Sequence, residues 1–250
     1  MYWFVGGDRR VFWTVECLRE RGLEIHVRDV PEQIPVLLLP FPTTLGKEEW
    51  EALLPKVNDK SLVIGAKLGT FGERLEQTGA KVYDLYGAEP LTTLNAALTA
   101  EGALALAIEA SEGSLWESRC LVIGAGRIGM ALAHRLKTLG ARVSVSARSP
   151  KDLALIRSLG LEGGITGDYD FVFNTVPAPV LTELQLSKMQ KSCVLLELAS
   201  APGGFSFPAC KALGLTAIMA SGLPGRFSPK TAGRLYGECI LEVLEKEGRL

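Results

Sequence analysis

A short apolar segment followed by three glycines at a fixed spacing constrains the fold of this 250-residue chain more than any other feature. Residues 120–123 read as a buried strand, which runs into Gly124-Ala-Gly126-Arg-Ile-Gly129 and then into an amphipathic helix. In such a turn Gly124 permits the tight bend, Gly126 lets the backbone approach a pyrophosphate, and Gly129 lets the helix pack closely on the strand. Backbone N–H groups at the start of the helix then face the phosphates. The pattern predicts a Rossmann-type dinucleotide-binding domain, with cofactor contacts from Gly124, Gly126, Arg127, Ile128 and Gly129.

The end of the next strand indicates which dinucleotide binds. NAD-dependent enzymes commonly carry an acidic residue there, whose carboxylate accepts hydrogen bonds from the ribose, whereas this chain has Ser146-Ala147-Arg148-Ser149. Hydroxyl groups and a guanidinium suit a 2′-phosphate, so we expect NADP, bound in part by Ala147, Arg148 and Ser149. The alternative is that Arg148 is a solvated loop residue.

Two later loops, 174–179 and 199–204, are expected to lie beside the nicotinamide because each follows a strand of the same sheet. Their prolines and glycines would hold the backbone against a flat ring, although a pair of ordinary turns is the alternative. The predicted contacts in these loops are Thr175, Val176, Pro177, Ala199 and Ser200.

Short apolar runs alternate with amphipathic stretches through most of the remaining chain, which is typical of strands joined by crossover helices. The pattern predicts an α/β protein with two α/β domains joined by a long helix, the second domain being a Rossmann-type doubly wound parallel sheet. We expect a substrate-side domain over 1–91, an Ala- and Leu-rich connecting helix over 92–114, and an NADP-binding domain over 115–225. The segment 226–250 is predicted to be a helix that packs back toward the connecting helix.

Composition excludes several classes of protein. The 27 basic and 28 acidic residues leave a net charge of -1, so the chain has no field that would gather nucleic acid or anionic lipid. No apolar run approaches the roughly 20 residues that cross a bilayer, and the N-terminus does not resemble a signal peptide. The five cysteines show no metal-binding or disulfide spacing. We therefore expect a cytoplasmic protein with reduced cysteines, no metal, and neither nucleic-acid nor membrane partners.

Candidate acid–base residues are few. Neither His26 nor His134 falls in a loop that would face the proposed cleft, which leaves Lys, Glu, Asp or water for proton transfer. Lys230, near the start of the last helix, could bind a carboxylate or transfer a proton, and Glu101 in the connecting helix could face the cleft. For both residues, exposure to solvent is an equally weighted alternative.

A second polar group follows the first strand, where Gly7, Asp8 and Arg9 open a helix. Backbone amides and the Arg9 guanidinium could receive a carboxylate at this position. A capping Asp8 followed by solvated arginines is the alternative, and the sequence does not decide between the two.

Several of these blocks, in this order, resemble the A-subunit family of dipicolinate synthase over nearly the whole chain. The most specific are the TAEG block at 99–102, the SAPGG block at 200–204, and GLPG at 222–225 followed by PKTAG at 229–233. The resemblance implies an NADP-dependent oxidoreductase acting on a CH–CH bond, which oxidises dihydro- or hydroxytetrahydrodipicolinate to dipicolinate in spore formation. It also implies a flavoprotein-like second component, the B-subunit of dipicolinate synthase, and leaves a homo-oligomer open. With a dicarboxylate substrate, the expected substrate contacts are Gly7, Asp8, Arg9, Asn95, Thr99, Pro224, Gly225 and Lys230.

Two alternative functions remain. A shikimate dehydrogenase-like NADP oxidoreductase would use a Lys–Asp pair, and Lys67 is the comparable lysine in a strand-end loop, without an Asp at a convincing spacing. A noncatalytic NADP-binding regulatory subunit would keep the glycine turn but have little reason to keep Arg9, Glu101 and Lys230.

Overall fold

The chain divides into two compact units in the computed structural model, which describes residues 1–165 and 168–250. The first unit comprises Met1–Asn95 together with Pro224–Leu250, and the second comprises Ala96–Leu223. Each unit contains a parallel sheet flanked by helices, so the prediction of two α/β domains is confirmed. The C-terminal segment belongs to the first unit rather than standing apart from it.

Strands and helices alternate along most of the chain. The strands are β1 (Tyr2–Phe4), β2 (Ile25–His26), β3 (Val36–Leu38), β4 (Leu62–Gly65), β5 (Lys81–Asp84), β6 (Arg119–Ile123), β7 (Arg142–Ser146), β8 (Glu162–Gly163), β9 (Phe171–Asn174), β10 (Val194–Glu197) and β11 (Thr216–Met219). The helices are α1 (Arg9–Arg19), α2 (Lys47–Leu53), α3 (Thr70–Glu76), α4 (Glu89–Glu109), α5 (Arg127–Thr138), α6 (Pro150–Ser158), α7 (Glu183–Ser187), α8 (Phe207–Ala212), α9 (Leu223–Phe227) and α10 (Pro229–Lys246). The connecting helix predicted for 92–114 is therefore α4, which begins and ends a few residues earlier.

The first unit is a sheet covered on both faces. Its strand order is β2-β1-β3-β4-β5, and its strand pairs are parallel. Alternate residues of β3 point to opposite faces, so Val36 and Leu38 pack with α1 and α10, while Leu37 packs with α2 and α3. The strand order reverses between β1 and β3, and in open α/β sheets ligands bind beyond the carboxyl ends of the strands at such a reversal.

The second unit has the strand order β11-β10-β9-β6-β7-β8, again with parallel pairs. Cys120 and Val122 of β6 pack in one core cluster with α4 and α5, whereas Leu121 and Ile123 pack in the other with α7 and α8. The order reverses between β6 and β9. Numbered within the unit, this is the order 3-2-1-4-5-6 of a doubly wound Rossmann sheet, as predicted.

Helix α10 lies close against α1 because two glycines face that helix. A Cβ atom added to Gly233 would overlap the carbonyl oxygen of Arg10, and one added to Gly237 would lie 2.9 Å from Cβ of Cys17. Thr14 reinforces the contact by donating its hydroxyl to the Gly233 carbonyl at 3.0 Å. Leu91, in the first turn of α4, belongs to the same core cluster as α10.

Helix α4 corrects one sequence-based expectation. It is 21 residues long, and its most apolar 18-residue window has a mean hydropathy of 1.4, so by length and composition it is able to cross a membrane. Half of that window is buried inside the protein, with Ala100, Ala103 and Ala107 in the core of the second unit. Core helices of globular proteins pass the same hydropathy test, so the property is weak evidence for a membrane.

The five cysteines are all described, and all are buried free thiols. Burial raises the pKa of Cys120 and Cys239 to about 11 and that of Cys193 to about 12. A thiol with so high a pKa is neutral at physiological pH and is a poor nucleophile. These three side chains therefore act as small apolar groups.

Candidate functional site

The glycine turn after β6 has the geometry that the sequence predicts. Gly124 has a φ of +102°, and a Cβ added to Gly129 would overlap the Gly124 carbonyl oxygen, so both positions require glycine. Gly126 precedes α5 as its N-cap, and a Cβ added there would meet no described protein atom within 4 Å. Gly126 therefore borders open space at the start of the helix, where a phosphate group would approach.

A cavity of about 650 Å³ opens beside this turn. It lies at the carboxyl ends of β6, β7 and β9, which is the reversal point of the second sheet. Thr175 ties two of these strand ends together, since both its backbone N–H and its hydroxyl donate to the Ile123 carbonyl, at 2.9 and 2.8 Å. The lining residues are Ile123, Gly124, Ala125, Gly126, Ser146, Ala147, Arg148, Ser149, Asp152, Thr175, Val176, Pro177, Ala178, Pro179 and Val180.

Most of the predicted cofactor residues lie on the wall of this cavity, and others do not. Those on the wall are Gly124, Gly126, Ala147, Arg148, Ser149, Thr175, Val176 and Pro177. Those outside the lining are Arg127, Ile128, Gly129, Ala199 and Ser200. Gly129 acts by close packing, whereas Ala199 and Ser200 belong to the neighbouring loop after β10, so their contact with a cofactor stays a prediction.

An acidic residue that the sequence did not single out also lines the cavity. Ser149 is the N-cap of α6, where its hydroxyl accepts from the N–H of Asp152 at 3.4 Å. The Asp152 side chain stands in the first turn of the helix, on the same wall as Arg148. Arg148 is exposed and forms no ion pair with the described residues. At this end of the cavity, a bound anion would be attracted by Arg148 and repelled by Asp152.

The loops after β9 and β10 are joined by a buried carboxylate. Glu197 and Asn174 are both fully buried at the ends of their strands. Glu197 Oε1 accepts from Asn174 Nδ2 at 2.6 Å and from the Ala199 N–H at 3.0 Å, while Oε2 accepts from the Gly204 N–H at 2.7 Å. Asn174 also donates to the Val176 carbonyl at 2.8 Å. This network fixes the backbone of both loops that we expect beside the nicotinamide.

In the first unit, Asp8 is both a helix cap and an ion-pair partner. Its carboxylate accepts from the N–H of Arg10 at 2.9 Å, and the Arg10 guanidinium donates to both carboxylate oxygens, at 2.9 and 2.6 Å. Partial burial acts to raise the pKa of Asp8, but the hydrogen bonds and charge of Arg10 outweigh it and leave that pKa lowered. Arg10 is thus not a solvated arginine, whereas Arg9 is exposed and has no carboxylate partner among the described residues.

The GLPG block lies against this ion pair. A Cβ added to Gly225 would stand 2.8 Å from Asp8 Oδ2 and 3.1 Å from Arg10 Nε. Pro224, beside it in α9, is buried. Of the predicted substrate residues, Asp8 and Gly225 are therefore brought together, although they are far apart in sequence, and Arg10 joins them.

The remaining predicted residues are more scattered. Lys230 belongs to the first unit, is exposed, and places its ammonium 5.0 Å from the ring centroid of Trp13. Glu101 belongs to the second unit, where Arg135 forms an ion pair with it at 3.5 Å. On α4, Thr99 is buried and Asn95 is half-buried. Their roles in catalysis and substrate binding stay predictions.

Comparison with known proteins identifies close relatives, although no family model matches the chain. The A-subunit of dipicolinate synthase from Bacillus subtilis (strain 168) is 35% identical over 279 residues, covering 96% of this chain and 94% of that protein. The crystal structure of dipicolinate synthase, A chain, from Bacillus subtilis aligns with a TM-score of 0.85 at 27% identity, over 98% of this chain and 95% of that one. The crystal structure of the same A-subunit from Bacillus halodurans gives 0.84 at 25% identity, over 97% of each chain.

The fold is also shared with dehydrogenases outside that group. The apo-structure of D-lactate dehydrogenase from Escherichia coli aligns with a TM-score of 0.65 over 99% of this chain and 98% of that one. Its sequence identity is 15%, a likeness that shows the fold alone. The chain thus shares the two-domain, Rossmann-type fold of these dehydrogenases.

Proposed function

We propose that this chain, which belongs to the A-subunit family of dipicolinate synthase, oxidises dihydrodipicolinate or its hydroxytetrahydro precursor to dipicolinate, with NADP as the acceptor. The observation that carries the proposal is the cavity beside the glycine turn at the reversal point of the second sheet. The family relationship supports the substrate. A role in spore formation and a location in the cytoplasm are parts of the same proposal.

The residues of the cavity fit a dinucleotide. Its volume of about 650 Å³ is in the range of cofactor pockets, and Gly126 leaves open space at the start of α5 for a phosphate. Gly124, Gly126 and the first N–H groups of α5 would hold the pyrophosphate, and the segment around Arg148 would hold the adenosine ribose. When bound, NADP supplies the hydride acceptor.

The oxidation balances as the loss of one hydride and one proton from a dihydropyridine ring, which gives the aromatic pyridine dicarboxylate. A hydroxytetrahydro substrate must also lose one water molecule. Because aromatisation favours the reaction, the protein chiefly needs to orient the ring and receive a proton. We assign carboxylate binding to Arg9 and retain Lys230 and Glu101 as candidates for proton transfer.

NADP is favoured over NAD by Arg148 and Ser149, and Asp152 opposes this preference. A guanidinium binds a 2′-phosphate through parallel hydrogen bonds, whereas a carboxylate on the same wall repels it. We give Arg148 the larger effect because its side chain is exposed and has no ion-pair partner among the described residues.

The family name also supports a second component, since the relatives are named as the A-subunit or A chain of a synthase. We propose that this partner is the flavoprotein-like B-subunit. The test supplies the purified chain with freshly generated hydroxytetrahydrodipicolinate and NADP, with and without the B-subunit, and follows pyridine absorbance and NADPH appearance together. Matching rises in both signals are expected. Absence of product in both mixtures, with NADPH binding intact, would withdraw the substrate and favour a noncatalytic regulatory role.

Lys230 has its own test within that assay. Replacing it (Lys230→Met) is expected to abolish turnover while NADPH binding stays nearly unchanged, since the residue lies in the other unit from the cavity. Lys211→Met, an exposed lysine at the end of α8, is the matched control and should retain activity. An active Lys230→Met protein would remove Lys230 from the mechanism.

A shikimate dehydrogenase-like activity is the second candidate, and one observation bears on it. Asp84 lies beside Lys67, but its carboxylate accepts from the backbone N–H groups of Lys67 and Leu68. The Lys67 ammonium instead lies 5.8 Å from the centroid of the Tyr86 ring. This arrangement gives only weak support for a Lys–Asp pair. Sustained oxidation of shikimate with NADP would overturn the dipicolinate assignment.

A further inference from the structure

Lys67 stands at the carboxyl end of β4 in an unusual backbone conformation. Its φ is +64°, and the other described residues with positive φ that are not glycine are Asp29 and Glu117. Asp29 follows the edge strand β2 and Glu117 precedes β6, whereas Lys67 follows a central strand of the first sheet. A left-handed conformation is unfavourable for a lysine, and such strain persists only where surrounding contacts impose it.

Hydrogen bonds from two neighbouring loops impose this conformation. The Asp84 carboxylate accepts from the Lys67 N–H at 2.8 Å and from the Leu68 N–H at 2.9 Å. On the other side, the Thr43 N–H donates to the Ala66 carbonyl at 2.8 Å. The loop after β4 is thus held between the loops after β3 and β5, which makes the position of Lys67 well defined.

The same carboxylate also holds an aromatic residue beside Lys67. Asp84 accepts from the Tyr86 N–H at 2.9 Å, and the Lys67 ammonium lies 5.8 Å from the centroid of the Tyr86 ring. Lys67 is exposed and has no carboxylate partner among the described residues, and Tyr86 is 50% exposed. The Asp84 carboxylate therefore holds a cation without an ion-pair partner among the described residues and an accessible aromatic ring next to each other.

This pair matches the chemistry of a flat ring that carries a carboxylate. An ammonium recognises the carboxylate, and an aromatic side chain packs against the face or edge of the ring. Both groups stand at the carboxyl edge of the first sheet, next to the β3 strand at its reversal point, where ligands of open α/β sheets bind.

We propose that Lys67 binds one carboxylate of the dicarboxylate substrate and that Tyr86 packs against its ring. The assignment rests on the proposed function, because it takes the substrate from there. It adds a cation at the first sheet that is separate from Arg9 and from the Asp8–Arg10 pair. Asp84 is a positioning residue in this arrangement, since it holds the backbone of both Lys67 and Tyr86.

Direct binding of two pyridine acids tests the proposal. Dipicolinate carries two carboxylates and picolinate carries one, and both are titrated calorimetrically into the full-length protein in the presence of NADP. Wild-type protein is expected to prefer dipicolinate. Lys67→Met should weaken dipicolinate binding by about tenfold and remove most of the preference, since it deletes a charge-assisted hydrogen bond. Lys67→Arg should retain it.

The controls separate a lost contact from a damaged fold. Lys60→Met removes an exposed lysine just before the same strand, at its opposite end, and should bind both acids as wild type does. Tyr86→Leu should weaken both acids alike, because it removes a ring contact that they share. Substrate turnover should show a raised KM in Lys67→Met with kcat little changed.

Two results overturn the proposal in distinguishable ways. Lys67→Met protein that keeps the wild-type preference for dipicolinate would show that Lys67 does not bind the second carboxylate, and the proposed function would stand. Wild-type protein that binds neither acid and forms no dipicolinate would remove the proposed function, and this subsite with it.

Discussion

The carboxyl edges of the two sheets differ in what they offer a ligand. The edge of the second sheet is formed mainly by glycine, alanine, valine and proline, and its defining contacts are backbone groups around Gly124 and Gly126. The edge of the first sheet carries charged side chains, namely the Asp8–Arg10 pair, Arg9 and Lys67. A cofactor shared by many enzymes suits a site built from backbone, whereas a particular substrate requires particular side chains.

The strongest test of this contrast compares two glycines of the same turn. Gly129→Ala should both destabilise the second unit and abolish NADPH binding, because its Cβ would overlap the Gly124 carbonyl oxygen. Gly126→Ala should leave the thermal unfolding temperature unchanged and still impair NADPH binding, since its Cβ points into open space. Fluorescence titration with NADPH and thermal unfolding measure the two effects. Normal NADPH binding by Gly126→Ala would contradict a phosphate site at this turn.

The Glu197 network is an exception to this difference between the sheets, because here a side chain holds the loops of the second unit. Glu197→Ala would take the acceptor from the N–H groups of Ala199 and Gly204 and would remove one of the hydrogen bonds of Asn174. The unfolding free energy should therefore fall by about 3 kcal/mol. Urea unfolding measures the loss, with Glu112→Ala, an exposed loop residue, as the control expected to change little. A loss equal to that of the control would show that the network does not hold the two loops.

Arg148 is the exposed cation on the wall of the cavity in the second unit, so it tests whether a side chain selects the cofactor there. Arg148→Ala should weaken NADP binding by about tenfold and NAD binding much less, because only NADP carries the 2′-phosphate. Asp152→Asn should act in the opposite sense by removing a repelling charge. Arg142→Ala, at the start of β7, the strand that precedes Arg148, provides the control. Equal losses for NAD and NADP in Arg148→Ala would withdraw the NADP preference.

The smallest effect is expected from the Asp8–Arg10 pair, because the Asp8 side chain is half exposed. The pKa of Asp8 is lowered in the folded protein, so folding favours the ionised carboxylate. The resulting stabilisation is present above the pKa of the unfolded state. It is lost as pH falls through the pKa of the folded state. Asp8→Asn should therefore lower Tm at pH 6 and differ less from wild type as pH approaches 3. A difference in Tm that is constant across this range would show that the charge of Asp8 is not the source of the effect.

The helices and strands were predictable where the spacing of apolar residues along the sequence matches the spacing of the residues that are buried. The strand predicted at 120–123 lies within β6, which begins one residue earlier. The two-residue strand β8 has no apolar run to mark it. Helix α9 was missed because Gly222-Leu-Pro-Gly225 reads as a turn, although burial of Leu223 holds it in the core.

The candidate site was predictable only where local spacing encodes it. The glycine turn needs no partner from elsewhere in the chain to be recognised. Glu197, in contrast, reads as the polar end of an apolar strand, and its role depends on Asn174, which lies 23 residues earlier. Arg10 is likewise indistinguishable from Arg9 in sequence, and the two differ only because Asp8 engages one of them.

The close packing of α10 against α1 affects the order in which the two units fold during synthesis. Tyr236, Ile240 and Leu244, all near the C-terminus, complete the hydrophobic core around the N-terminal strands. The ribosome synthesises β1 well before α10, so the first unit cannot finish folding until α10 has been made. The second unit is continuous in sequence and can fold earlier. The order of folding therefore runs against the order of synthesis, and a stop codon placed before α10 would leave the N-terminal strands without part of their core.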